Sequence, residues 1–156
     1  EGLGDRESLA VFPFYEWHHA VIVPAGHPLE RVRPLTLDAI AAYPIVTYRQ
    51  GFTGRERIDA AFAAARRTPG FVLSAIIRTY VELGLGVGIL ASMAAESMPG
   101  AGLRVLPADN LFGRNTTWIA VSRDSYLRGY AYRFIELCDP TLGEARIRLA
   151  SSSRHD

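Results

Sequence analysis

Lysine is absent from this 156-residue chain, and cysteine occurs once, as Cys138. One thiol excludes an intrachain disulfide framework and fits a reducing compartment. Every basic side chain is therefore arginine, a residue suited to bidentate recognition of anions. Charge of one sign is also lacking. The formal net charge is +1 with dispersed charges, so no basic patch of the kind that holds nucleic acid is expected. No apolar run approaches the roughly 20 residues needed to span a bilayer. The N-terminal Glu1-Gly-Leu-Gly-Asp5 has no basic-then-apolar signal pattern. These absences predict a cytoplasmic chain with no membrane partner.

What is present is the composition of a globular domain, with 49% hydrophobic residues and a mean hydropathy of +0.08. The apolar run Ala20–Val23, closed by Pro24-Ala-Gly26, reads as a buried strand and turn. A short helix from Thr36 to Ala41 follows, capped by Thr36, then a strand over Pro44–Tyr48. Glu56–Arg66 places Ile58, Ala61, Phe62 and Ala65 on one helical face. Phe71–Leu73, Val87–Leu90 and Leu103–Leu106 read as strands, with a helix over Ile76–Leu83. The alternation predicts an α/β layer sheet with parallel strands joined by helices. Thr116–Ser122 is a further strand. Tyr126–Cys138 reads as the longest helix, its apolar stripe formed by Leu127, Tyr130, Phe134 and Cys138. Ala150–Asp156 reads as a frayed tail.

The most informative segment is Gly51-Phe52-Thr53-Gly54-Arg55, between a strand and a helix. A strand turning through glycines into a helix aims free N–H groups and the positive end of the helix dipole at one point. Thr53 adds a hydroxyl and Arg55 a nearby positive charge. The same residues also permit a plain capping box from Thr53 to Glu56. Phe12, Phe14, Tyr15 and Trp17 form an aromatic cluster before the first strand, either as core or, for Trp17, as a pocket wall.

Other constellations lack the context that their chemistry needs. Gly84-Leu-Gly86-Val-Gly88 lies between a helix and a strand, the reverse of a dinucleotide turn. Gly84 is expected to end the helix in a left-handed cap, with Gly86 and Gly88 allowing close approach of the backbone. His18 and His19 are adjacent and on a strand face opposite ways, His27 precedes Pro28 in a turn, and His155 lies in the tail, so no metal site is expected. Cys138 reads as a structural thiol. No nucleophile elbow or motif-placed carboxylate pair is present, so neither catalytic residues nor a cofactor are expected.

Taken together, Phe12–His18, Gly26–Leu29, Tyr43–Tyr48, Gly51–Arg55, Thr79–Gly88, and Thr117 through Tyr126–Tyr132 resemble the effector-binding domain of LysR-type transcriptional regulators. Within that family they are most similar to the CysB/Cbl branch, which controls sulfur assimilation. The resemblance implies two α/β lobes of the type II periplasmic-binding-protein kind, with an effector in the cleft between them. It implies one lobe over 13–117, and the other, in part only, from 1–12 and 118–156. It further implies that Thr53 contacts an anionic effector, with Gly51, Phe52 and Gly54 around it and Trp17 close by. The effector would be sulfate, thiosulfate, an acetylated serine or adenosine phosphosulfate. Promoter DNA would be met through a winged helix-turn-helix absent from these residues, and a homodimer or homotetramer is expected. After Ala75 the family usually carries a few more residues, some acidic. A solute-binding protein for a small anion, or a small α/β enzyme acting on one, are the alternative readings.

Overall fold

A computed structural model of the chain describes residues 8–52, 54–73, 76–97 and 102–152. Thr53 and the Ser74–Ala75 junction lie outside the described residues. The chain divides into two compact units. The larger is Trp17–Asn115, and the smaller joins the residues up to Glu16 with those from Thr116 onward.

The larger unit starts with the second half of β1 (Leu9–Pro24) and a 3-10 turn over Pro28–Arg31. It continues through α1 (Leu37–Ala41), β2 (Ile45–Thr47), α2 (Arg55–Ala64), β3 (Phe71–Leu73) and α3 (Ile77–Glu82). β4 (Val87–Ala91), α4 (Ser92–Glu96), β5 (Leu103–Pro107) and α5 (Asp109–Phe112) complete it. The strand order is β3-β2-β4-β1-β5. β2 pairs in parallel with both β3 and β4, through the crossover helices α2 and α3. β1 instead runs antiparallel to β4 and β5, with Val21 opposite Ile89 on one side and Leu106 on the other. The sheet is thus mixed, not all parallel as the alternation of strand and helix suggested. Helical crossovers impose parallel pairing only where they join neighbouring strands, and β1 enters the sheet between β4 and β5 from outside that series.

Both faces of this sheet are covered, which is why Ala20–Val23 is apolar without alternation. On one face Val21, Val23, Ile45, Val87 and Ile89 meet Ile58 and Phe62 of α2, with Leu29, Leu35 and Ile40. On the other, Ala20, Ile22, Val46 and Leu90 meet Ile77 and Val81 of α3. Each of these buried Ile, Leu or Phe side chains contributes about 1.5–3 kcal/mol relative to exposure. Buried Thr47 spends its hydroxyl on the Ile89 carbonyl oxygen, 2.8 Å away.

α3 ends as its glycine implies. Gly84 adopts φ +73°, and the N–H groups of Gly84 and Leu85 donate to the carbonyls of Val81 and Tyr80, closing a Schellman motif. A side chain on Gly86 would collide with the Pro44 carbonyl, and one on Gly88 would stand 2.5 Å from Ile22 Cγ1. This glycine run serves strand packing.

In the smaller unit the first half of β1 pairs with β6 (Arg114–Ser122), followed by α6 (Gly129–Cys138) and α7 (Glu144–Ser152). The aromatic cluster lies within β1 and not before it, with Phe12 and Trp17 buried and Phe14 and Tyr15 exposed. On α6 the buried face is Tyr132 and Ile135, which join Ala10, Phe12, Val121, Leu142 and Ile147. Tyr130 and Phe134 are exposed, as is Cys138, so the stripe read from sequence is corrected. The helix is apolar on two sides, and a 3.6-residue period cannot choose between them. The reading of a tail from Ala150 is corrected for Ala150–Ser152, while Ser153–Asp156 lie outside the described residues. α7 continues to Ser152, seated by buried Ile147 and by the Arg148 guanidinium 5.1 Å above the Tyr132 ring.

Candidate functional site

The turn between β2 and α2 is built on two left-handed glycines, Gly51 and Gly54, both with φ +87°. Within it, the Phe52 N–H donates to the Arg49 carbonyl at 3.3 Å, and the Arg55 N–H to the Phe52 carbonyl at 3.1 Å. Among the described residues, the N–H groups of Gly51 and Gly54 meet no acceptor. Gly54 is also the N-cap of α2, and its carbonyl receives the N–H groups of Arg57 and Ile58. The expected capping box placed this role on Thr53. The correction has a simple cause, since the chain enters α2 through a positive φ that glycine adopts without strain and threonine does not.

Arg55 plays a different part from the one its sequence position suggests. The side chain is 4% exposed, with Nη1 donating to the Tyr48 carbonyl at 2.6 Å and Nε to Asp59 Oδ1 at 2.8 Å. Its guanidinium lies 4.2 Å over the Phe71 ring. It ties the end of β2 to the first turn of α2 from inside the unit. Phe52 is exposed at the lip of the turn, stacked on Tyr48 with centroids 6.1 Å apart.

Trp17 and His19, two residues apart on β1 and hence on one face, support the turn from below. A β-carbon on Gly54 would stand 2.7 Å from Trp17 Cη2 and 2.8 Å from His19 Nε2. Both side chains are buried, and their rings meet edge to face at 5.2 Å. His19 also meets Phe112 at 5.5 Å. Among the described residues, neither ring nitrogen of His19 has a hydrogen-bond partner. Burial, with the positive charge of Arg57 and then His18 adding to it, lowers its pKa from 6.5 to about 4. The ring is therefore neutral at physiological pH. His18 points away and meets Asp109 at 3.1 Å.

The structure thus brings Trp17, Gly51, Phe52 and Gly54 to one turn, while Thr53 lies outside the described residues. Sequence reasoning missed His19 and Tyr48. The signal for His19 was its i, i+2 spacing from Trp17. His27 accepts from the Leu29 N–H as a cap, and His155 lies outside the described residues. Among the described residues no group of three or more His, Cys, Asp or Glu is placed to hold a metal, and no helix is long and apolar enough to cross a membrane.

Among the described residues, then, two amides near the N-terminus of α2 meet no acceptor, and the buried rings of Trp17 and His19 pack against Gly54. The family model described as the LysR substrate binding domain matches residues 1–143. The chain belongs to the LysR substrate-binding domain family. It is 46% identical over 154 residues to the HTH-type transcriptional regulator CysB of Burkholderia cenocepacia, covering 96% of this chain and 49% of that protein. It is 48% identical over 151 residues to SsuR of the same organism, covering 94% and 49%. This LysR domain therefore spans about half the length of the curated relatives it matches. Among solved structures, the cofactor-binding domain of the Cbl transcriptional regulator superposes with a TM-score of 0.86 at 42% identity, over 98% of this chain and 69% of that one. The CcmR regulatory domain of Synechocystis, solved with 2-PG, shares the fold at a TM-score of 0.74 and 17% identity, over 88% of this chain and 68% of that one. The fold is that of the LysR substrate-binding domains, and the relatives that the chain matches are transcriptional regulators.

Proposed function

We propose that this LysR domain senses a small sulfur-containing anion for a transcriptional regulator of sulfur assimilation, and that the turn at the start of α2 holds it. The observation that carries the reading is that, among the described residues, the N–H groups of Gly51 and Gly54 meet no acceptor, with Gly54 packed on Trp17. Their placement at a helix N-terminus suits sulfate, thiosulfate, adenosine phosphosulfate or the carboxylate of an acetylated serine. Thr53, between the two glycines, supplies a hydroxyl to the same anion. The relatives CysB, SsuR and Cbl favour sulfur compounds over other anions.

In this reading the anion stabilises one of two conformations of the domain, and that shift alters how a DNA-binding segment outside these residues sits on its promoter. Self-association as a dimer or tetramer, in the cytoplasm, belongs to the same proposal. Calorimetric and thermal-shift titration of the wild type and Thr53→Ala against the four ligand classes tests it. Ligand at 100 times its Kd stabilises the folded chain by about 2.7 kcal/mol. Loss of that response in Thr53→Ala supports the site. No response of the wild type to any of the ligands refutes the reading.

A further inference from the structure

The smaller unit holds a cavity of about 550 Å³ between the loop that joins β6 to α6 and the outer side of α7. Its volume lies within the roughly 300–1,000 Å³ usual for small-molecule sites. Val121, Leu127 and Tyr132 give it an apolar floor that is continuous with the core of the unit. Tyr126 and Leu149 wall it, and they are 83% and 69% exposed, so the apolar surface at its mouth is left to solvent.

Two guanidinium groups, those of Arg123 and Arg148, line the same cavity, and no Asp or Glu stands among its lining residues. Both are held in place. Arg123 donates Nη1 to the Ala150 carbonyl in α7. Arg148 lies 5.1 Å over the Tyr132 ring, and its Nε and Nη2 each approach Glu144 Oε1 to 2.8 Å. Among the described residues, Nη1 of Arg148 has no bond. Glu144 offsets one of the two positive charges and leaves the other. A fixed cation beside exposed apolar surface favours a ligand that is anionic at one end only. A bare inorganic anion would leave the apolar walls wet, and a neutral apolar molecule would make no use of the guanidinium.

We propose that this cavity is a second ligand site, for a small carboxylate with an apolar body. The carboxylate accepts from Nη1 of Arg148 within the positive field of Arg123, and the body covers Leu127, Tyr126 and Leu149. Glu144 and Tyr132 act through Arg148, by fixing its guanidinium before the ligand arrives. The site lies wholly within the smaller unit and does not depend on the α2 turn of the larger one.

The test titrates the whole chain with phenylacetate, with its neutral amide phenylacetamide and with sulfate, reading backbone amide shifts by NMR. Phenylacetate is expected to shift Ala145, Leu149 and Ser151, and to bind about tenfold more tightly than the amide, the difference made by a charge-assisted bond at a partly exposed arginine. Sulfate at equal concentration is expected not to displace it. Arg148→Met keeps the stem over Tyr132 and removes the donors. It should weaken phenylacetate about tenfold and leave phenylacetamide unchanged. Leu149→Ser, at an exposed position, should weaken both. Equal affinity of the wild type for acid and amide overturns the proposal without recourse to any variant. So does displacement by sulfate, which would make the cavity a site for bare anions. A folded Arg148→Met chain that binds phenylacetate as tightly as wild type overturns it too, as does a wild type in which those three amides do not respond.

Discussion

The α-carbon of Gly54 lies against the rim of the Trp17 indole, so close that a β-carbon on residue 54 would stand 2.7 Å from Cη2. A glycine on the N-terminal turn of α2 and a tryptophan on β1 are thereby one structural unit, 37 residues apart in the chain (54 − 17).

Gly54→Ala and Gly51→Ala separate conformational strain from this contact. Both glycines have φ +87°, but a β-carbon on Gly51 would meet nothing within 4 Å. Gly51→Ala is expected to destabilise the chain by about 1 kcal/mol, from the left-handed backbone alone. Gly54→Ala adds overpacking against two buried rings and is expected to cost about 2–4 kcal/mol. Urea unfolding of the two variants checks the difference, and equal losses would contradict the contact.

Arg55→Met tests the internal tie. The change removes the bonds to the Tyr48 carbonyl and Asp59 and is expected to cost about 2–3 kcal/mol. Anion affinity should fall too, although the guanidinium is directed into the unit, because the turn loses its anchor. Denaturation and calorimetry on one preparation provide both readings. A variant with unchanged affinity would show that the turn holds its shape without this tie.

His19 makes stability depend on pH in a defined window. The folded chain holds its pKa at about 4, against 6.5 ordinarily, so on acidification the unfolded chain takes up this proton first. The contribution is fully present above pH 6.5 and is lost as pH falls towards 4. Between pH 7.5 and 5 the loss should be about 2 kcal/mol. His19→Phe should remove that slope, and an unchanged slope would assign the pH dependence to other groups.

On α6, Ile135 and Phe134 are neighbours in sequence with opposite burial, 9% against 67% exposed. Ile135→Ala should cost about 2–4 kcal/mol by leaving a cavity, and Phe134→Ala about 0.5 kcal/mol or less. Thermal melts of the two variants decide which side of the helix faces the core.

That helix shows where sequence reading reached its limit. Leu127, Tyr130, Phe134 and Cys138 form a valid helical stripe, and so do Tyr132 and Ile135. Choosing between them requires the partner surface, which comes from other elements, with Ala10 on β1, Val121 on β6 and Ile147 on α7. The strands from Ala20 to Leu106 were legible because each is a short apolar run bounded by turn residues. The extension of β1 back to Leu9 was not, because Phe14, Tyr15 and Glu16 on that segment are all exposed. The short helices α4 and α5 carry too few turns for a period to show. At the site, the glycines of the turn were readable from composition alone. The inward course of Arg55 was not, since a residue at the first position of a helix gives no sign of a carbonyl such as that of Tyr48 waiting beneath it.

The bond between Arg55 and the Tyr48 carbonyl closes residues 48 to 55 into a loop held at both ends. The two ends of that segment, Tyr48 and Arg55, are thereby fixed during folding, before any ligand arrives. Under the proposed function, an anion docking between those fixed ends would spend less of its contact energy on ordering the backbone around Tyr48 and Arg55. Thermodynamically, such a turn should bind with a small entropic penalty and a fast on-rate, the behaviour of a socket cast in advance of its occupant.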